Sequence, residues 1–228
     1  MAGRTSSAVF SHPALWRGNA CARVAVASVP TGFAELDVLL PGAGWPAEAL
    51  TEFHVEHPGI GELKLVMPAL ARLSAGERWV AFVAPPRIPY PPALAAHGLR
   101  LSHAMLIRAA GAEMQIWAAE QALRSGSCGA TLLWFDRAPE PALRRLQRAA
   151  EGSGALIMLF RGPRAASFSC AALRIHLGKS DGRTIARILK RRGGGVPAPV
   201  ALDLHRTIER PARCSTAAFD SGDLRAAH

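Results

Sequence analysis

Lysine is scarce in this chain. Of its 27 basic residues only Lys64, Lys179 and Lys190 are lysines, and the rest are arginines. Cysteine is scarce as well: Cys21, Cys128, Cys170 and Cys214 lie far apart with no Cys-x-x-Cys pair. That spacing argues against a zinc site and a disulfide framework, and fits reduced thiols. No apolar run reaches the length that spans a bilayer, and the start lacks the continuous apolar core of a signal peptide. The expectation is a soluble, cytoplasmic protein with no membrane partner and no metal.

Half of the 228 residues are apolar, enough for one sizeable core with tails. The net charge of +10 has two readings. A basic surface suits a polyanion or an acidic protein partner, whereas an arginine- and alanine-rich composition is also what a GC-rich genome produces.

Along the chain, residues 1–27 are mixed and read as an N-terminal arm. From Pro30 apolar runs alternate with helical periodicity. "ALTEFHV" (49–55) predicts a buried strand, then a loop, then a helix over 62–75 with Leu63, Val66, Met67, Leu70 and Leu73 on one face. Pro68 lies inside that helix and should disturb it. Strands follow over 78–84, 103–109, 129–136 and 155–160, with helices over 93–97, 113–125 and 140–151. On the 113–125 helix Met114, Trp117, Gln121 and Leu123 span two turns. Three strands over 171–178, 184–191 and 199–205 form a mixed or antiparallel edge, and residues 206–228 read as a flexible tail. The fold class is α/β: an open, mostly parallel sheet with helices on both faces and a C-terminal antiparallel extension, its core spanning 28–205. Such sheets bind ligands at the carboxyl ends of their strands.

One of those ends carries "HVEHPGIGELKL" (54–65), which has the outline of a phosphate loop: Gly59 and Gly61 between a strand and a helix. A working loop needs backbone N–H groups, a lysine for the β/γ oxygens and a hydroxyl for Mg²⁺. Aligned on Gly61, the lysine position is Glu62 and the hydroxyl position is Leu63. A carboxylate ~4 Å from a phosphate charge is repelled by on the order of 4 kcal/mol near a protein surface. Lys64 lies roughly 200° further around the helix and should point away. No cofactor is expected. His57 beside Glu56 and Glu62 has the look of a metal constellation, but residues adjacent in one loop rarely converge on an ion.

The order of motifs resembles the RecA recombinase core over about 28–205. "VPTGFAELDVLLPGAGWP" is similar to the Thr-Gly-x-x-x-Leu-Asp segment that precedes the phosphate loop in that superfamily, here Thr31, Gly32, Leu36 and Asp37. A closer resemblance is to the translesion-synthesis-associated ImuA family, also described as SulA-like or RecA-like. It is carried by "HPALWRG", "PGAGWP", "GIGELKLVMPAL", "PPRIPYPPAL" and "EQALRSGSCGA" in that order. The resemblance implies an accessory factor of SOS-induced mutagenesis. It would act beside a RecA recombinase, a Y-family polymerase-like protein and an error-prone replicative-type polymerase. It also implies where a RecA-type ATPase keeps its water-activating glutamate, at the end of the strand after the loop helix. This chain writes "VAPP" there (83–86).

Several candidate positions follow. Asp136, at the tip of "LLWF", stands where a Mg²⁺-holding acid would, or is a loop residue. Arg161, Arg164 and Phe168 in "RGPRAASFS", with Lys190, Arg191 and Arg192 in "KRRGGG", are candidate DNA contacts or an ordinary solvated loop and hairpin tip. Leu15 and Trp16 in the arm are candidates for docking on a partner or for packing on the chain's own core. Trp45 and Trp117 are expected in the core. The reading is a non-catalytic adaptor. Its rivals are an ATPase of unusual loop chemistry and a stand-alone single-stranded DNA-binding protein. A cell-division inhibitor enters only through the SulA-like description, and no residue pattern carries it.

Overall fold

Strand Leu50–Val55 is buried along its whole length, which a strand achieves only with neighbours on both edges and layers on both faces. That placement organises the rest. In chain order the elements are β1 (Ser28–Val29), α1 (Ala34–Asp37), β2 (Trp45–Pro46), β3 (Leu50–Val55), α2 (Glu62–Ala75), β4 (Trp79–Val83) and α3 (Pro91–Ala96). Then come β5 (Ala104–Ile107), α4 (Ala112–Arg124), β6 (Cys128–Trp134), α5 (Glu140–Ala150), β7 (Leu156–Arg161), β8 (Leu173–Ser180), β9 (Arg183–Lys190) and β10 (Val200–Leu202). This computed structural model describes residues 27–162, 169–193 and 195–204.

Eight strands form the main sheet in the order β10-β9-β8-β3-β7-β6-β4-β5. From β8 across to β5 all neighbours are parallel, while β9 and β10 add antiparallel at the other side. The α/β class and the C-terminal antiparallel extension agree with the sequence reading.

The two faces of β3 sort its side chains by parity. Phe53 and Val55 belong to a core under α2, together with Leu65, Val66, Leu70 and an aromatic row. In that row Trp45 meets Phe53 edge-on, and Phe53, Phe160 and Trp134 stack at centroid spacings of 4.9 Å. Leu50 belongs to the opposite core, built with Leu123, Leu133, Leu143 and Leu146 under α4 and α5. Helix α2 runs through Pro68 without ending, at the cost of the backbone bond to the carbonyl four residues back.

The Thr-Gly-x-x-x-Leu-Asp segment has a local job. Asp37 Oδ1 accepts the Thr31 N–H at 2.9 Å, Thr31 Oγ1 accepts the Phe33 N–H at 3.0 Å, and Leu36 is buried. Gly44 is required by a close approach: a Cβ there would stand 2.4 Å from the Val29 carbonyl oxygen, where the β1–β2 bridge crosses. Trp45 is in the core, as expected. Trp117 is not. Helix α4 buries Ile116, Ala119, Glu120 and Leu123 and leaves Met114 and Trp117 each 51% exposed. The small alanines sit against the sheet, and Glu120 is tolerated inside because Arg124 and Arg145 pair with it.

Candidate functional site

The loop between β3 and α2 lies at the carboxyl end of a central strand, where open α/β sheets place ligands. Gly59 and Gly61 both take positive φ, 88° and 111°, which turns their N–H groups into the concavity ahead of the helix. The occupant of that concavity is the chain itself. The Glu62 carboxylate folds back over the loop and accepts the Gly59 N–H with both oxygens, at 3.0 and 3.1 Å, and the Gly61 N–H at 3.2 Å. It is buried in doing so. These donors are the ones a phosphate would need, and a fixed negative charge already meets the positive end of the helix.

The lid over the loop is also made by this chain. Thr184 Oγ1 on β9 donates to the Ile60 carbonyl at 3.2 Å. Leu204 packs so closely that a Cβ on Gly61 would lie 2.5 Å from its Cδ1. Leu63, at the position of the missing hydroxyl, packs against the core beneath α2. Lys64, Arg87 and His57 are exposed. The Gly-Lys-Ser triplet at 178–180 ends strand β8 and opens no helix, so it lacks the geometry of a phosphate loop. Among the described residues no group of three or more His, Cys, Asp or Glu gathers as metal ligands.

Asp136 serves as a strand-end tie. Its Oδ1 accepts the Gly162 N–H at 2.7 Å, and its carbonyl accepts Arg161 Nε and Nη2 at 3.1 and 2.9 Å. This clamps the ends of β6 and β7. Arg161 itself corrects the expectation of a DNA contact. It is 3% exposed, and its Nη1 meets Glu52 Oε1 at 3.0 Å. Three of its five N–H groups are thus engaged within the chain.

Glu52 is the centre of a charged cluster that the sequence reading missed. It is fully buried on β3, with His54 Nε2 at 2.6 Å, Arg161 Nη1 at 3.0 Å and Arg174 Nη2 at 3.7 Å from Oε1. Burial pushes its carboxyl up. Hydrogen bonds from His54 and Ser169 and the charge of Arg161 outweigh that and bring it down to about 2. The signal was present in "LTEFHV": Glu52 and His54 are two apart on a strand and share a face.

The other sequence candidates divide. Lys190 Nζ donates to the Ser169 carbonyl at 3.1 Å and the residue stays exposed. Arg191 is tied to the carbonyls of Leu39 and Gly195, which braces the segment after β9 against the turn that follows α1. Arg192 is exposed. Leu15, Trp16, Arg164 and Phe168 lie outside the described residues, as do Cys21, Cys214 and the tail. Cys128 and Cys170 are free thiols, and burial pushes both up. No helix among the described residues is long and apolar enough to cross a membrane.

No curated protein matches the chain. Residues 48–156, a little under half of the chain, match the family model described as cell division inhibitor SulA. The matched stretch runs from just before β3 to the first residue of β7, and so includes the filled loop, α2 and the parallel strands beyond it. Over its central unit the chain is similar to a family linked to the SOS response.

Proposed function

We propose that this protein is a non-catalytic, RecA-like accessory factor of SOS-induced translesion DNA synthesis, an adaptor that docks on a recombinase, a Y-family polymerase-like partner, or both. The observation that carries the reading is the Glu62 carboxylate seated on the Gly59 and Gly61 N–H groups. In that state the Gly59 and Gly61 N–H groups are taken, and Leu63 offers no hydroxyl to a metal. Support for the translesion branch is the motif order "HPALWRG" through "EQALRSGSCGA", with the match to an SOS-linked family beside it. Support for docking is apolar surface away from the loop: Met114 and Trp117 on α4, and Leu106 on edge strand β5. Exposed aromatic and methionine side chains suit a protein partner.

Two results test it. Trp16→Ala should weaken recombinase capture by at least ~2 kcal/mol if the arm is a docking anchor, and unchanged affinity in a titration would remove the arm from the account. Glu62→Ala should lower stability by about 1–2 kcal/mol, because the loop N–H groups lose a charged acceptor. Chemical denaturation reads that difference, and no loss would mean that the carboxylate does not hold the loop.

The match to SulA favours a second reading, an inhibitor of cell division. That reading expects filamentous growth on overproduction and normal damage-induced mutagenesis on deletion. The adaptor reading expects the reverse pair.

A further inference from the structure

The β8–β9 hairpin concentrates charge of one sign. Residues 173–192 carry Arg174, Lys179, Arg183, Arg187, Lys190, Arg191 and Arg192, with Asp181 as the one acid. The register decides where these charges face. Arg174 pairs with Lys190, His176 with Arg187, Gly178 with Ile185, and Ser180 with Arg183, so these eight residues share one side of the sheet. The other side, with Ile175, Leu177, Ala186 and Ile188, is in the core beneath α2. A one-residue bulge between Arg174 and Ile175 brings Lys190 onto the cationic side.

This side is accessible. Arg183, Arg187 and Lys190 are exposed and His176 is partly so. Arg183 and Arg187 form no ion pair among the described residues. Three acids meet this side: Glu52, Glu56 and Asp203, the last one residue beyond the Leu202–Thr184 pair and thus beside Arg183. Glu52 is buried under Arg161 and Arg174, and Glu56 lies over Gly178 with an oxygen 3.6 Å from His176 Nε2.

We propose that this outer face of β8–β9 binds the sugar–phosphate backbone of single-stranded nucleic acid. Arg183 and Arg187, four residues apart on β9 and on one side, stand ~13 Å apart along the strand, about two steps between successive phosphates of an extended nucleic-acid strand. Arginine presents a planar fork of donors that fits a phosphate's oxygens. The half-buried Ile185, between Arg183 and Arg187, gives an apolar contact for a sugar or base edge. An acidic protein would meet the same charge but has no need of that spacing. The inference does not rest on the adaptor reading, since β8–β9 and edge strand β5 lie toward opposite ends of the sheet.

The test uses the full chain and a fluorescently labelled oligothymidylate, titrated by anisotropy over a range of salt. Wild type should bind, with affinity falling as salt rises. The double variant Arg183→Glu/Arg187→Glu should bind at least about tenfold more weakly, with the logarithmic salt slope reduced by about 0.7 for each lost contact. Lys64→Glu/Lys179→Glu changes net charge equally at exposed positions off this face, and should stay within about threefold of wild type. Arg183→Gln/Arg187→Gln, with an unchanged melting curve, repeats the loss without introducing acids. Equal losses in the two charge-reversal variants, or no binding by wild type at low salt, would overturn the proposal. So would tight binding of poly-glutamate in place of the oligonucleotide, which would assign the face to an acidic protein. Recombinase capture by the Arg183→Glu/Arg187→Glu variant should be unchanged, so failure here and failure of the adaptor reading are separable.

Discussion

Glu52→Leu should destabilise the fold by about 3–5 kcal/mol, the cost of breaking a buried ion pair by removing one partner. The leucine fills a similar volume, so a cavity is not the cause. What remains is the Arg161 guanidinium, its side chain 2% exposed, without the carboxylate that met its Nη1. His54 also loses its 2.6 Å partner. Urea unfolding at neutral pH reads the difference, and a loss below about 1 kcal/mol would mean that the cluster tolerates an uncompensated charge.

The same carboxylate predicts a pH dependence. Its folded value, about 2, lies below the ordinary 4.5, so the folded state favours the ionised form. The stability it adds, on the order of 3 kcal/mol, is fully present above about pH 4.5 and is lost as pH falls toward 2. The gap between wild type and Glu52→Leu should therefore narrow across that window. A gap that stayed constant from neutral pH to pH 3 would contradict the assignment.

Phe160→Ala should cost about 3–5 kcal/mol as well, by a different route. Phe160 is buried on β7 and stacks on Phe53 of β3 on one side and Trp134 of β6 on the other, each at 4.9 Å. Removing it opens a cavity between three strands and breaks two aromatic pairs, each contributing ~0.5–1.5 kcal/mol beyond its buried area. A melting temperature lower by about 2–4 °C per kcal/mol is the expected readout in circular dichroism. A shift of only one or two degrees would mean that the row can close over the gap.

Much of this architecture was legible in the residues. Continuous apolar runs such as "GATLLWF" have no polar face to present to water, and they became the parallel strands of the sheet centre. Gly61 and Glu62 marked the start of α2, and Asp136 at the tip of an apolar strand marked its end. The misreadings have specific causes. On α4 Trp117 read as a core residue by its size, whereas packing against a sheet favoured the small side, Ala119 with Ile116 and Leu123. Arg161 read as a loop cation because its partner, Glu52, is 109 residues away in sequence, and only the β3–β7 pairing brings them together. The bulge that moves Lys190 onto the face of Arg174 and Arg187 likewise has no signature in "RILKRR". The loss of lysine and hydroxyl in the loop was readable from Glu62 and Leu63. That the carboxylate turns back to occupy the nest depends on a side-chain conformation, which spacing alone does not specify.

The central claim is that the Gly59 and Gly61 N–H groups already hold an anion supplied by the chain, leaving a docking scaffold in place of a nucleotide motor. Calorimetric titration of the purified full chain with ATP and Mg²⁺ tests this most directly. The account predicts no saturable binding up to about 1 mM nucleotide. Saturation below that concentration would contradict it.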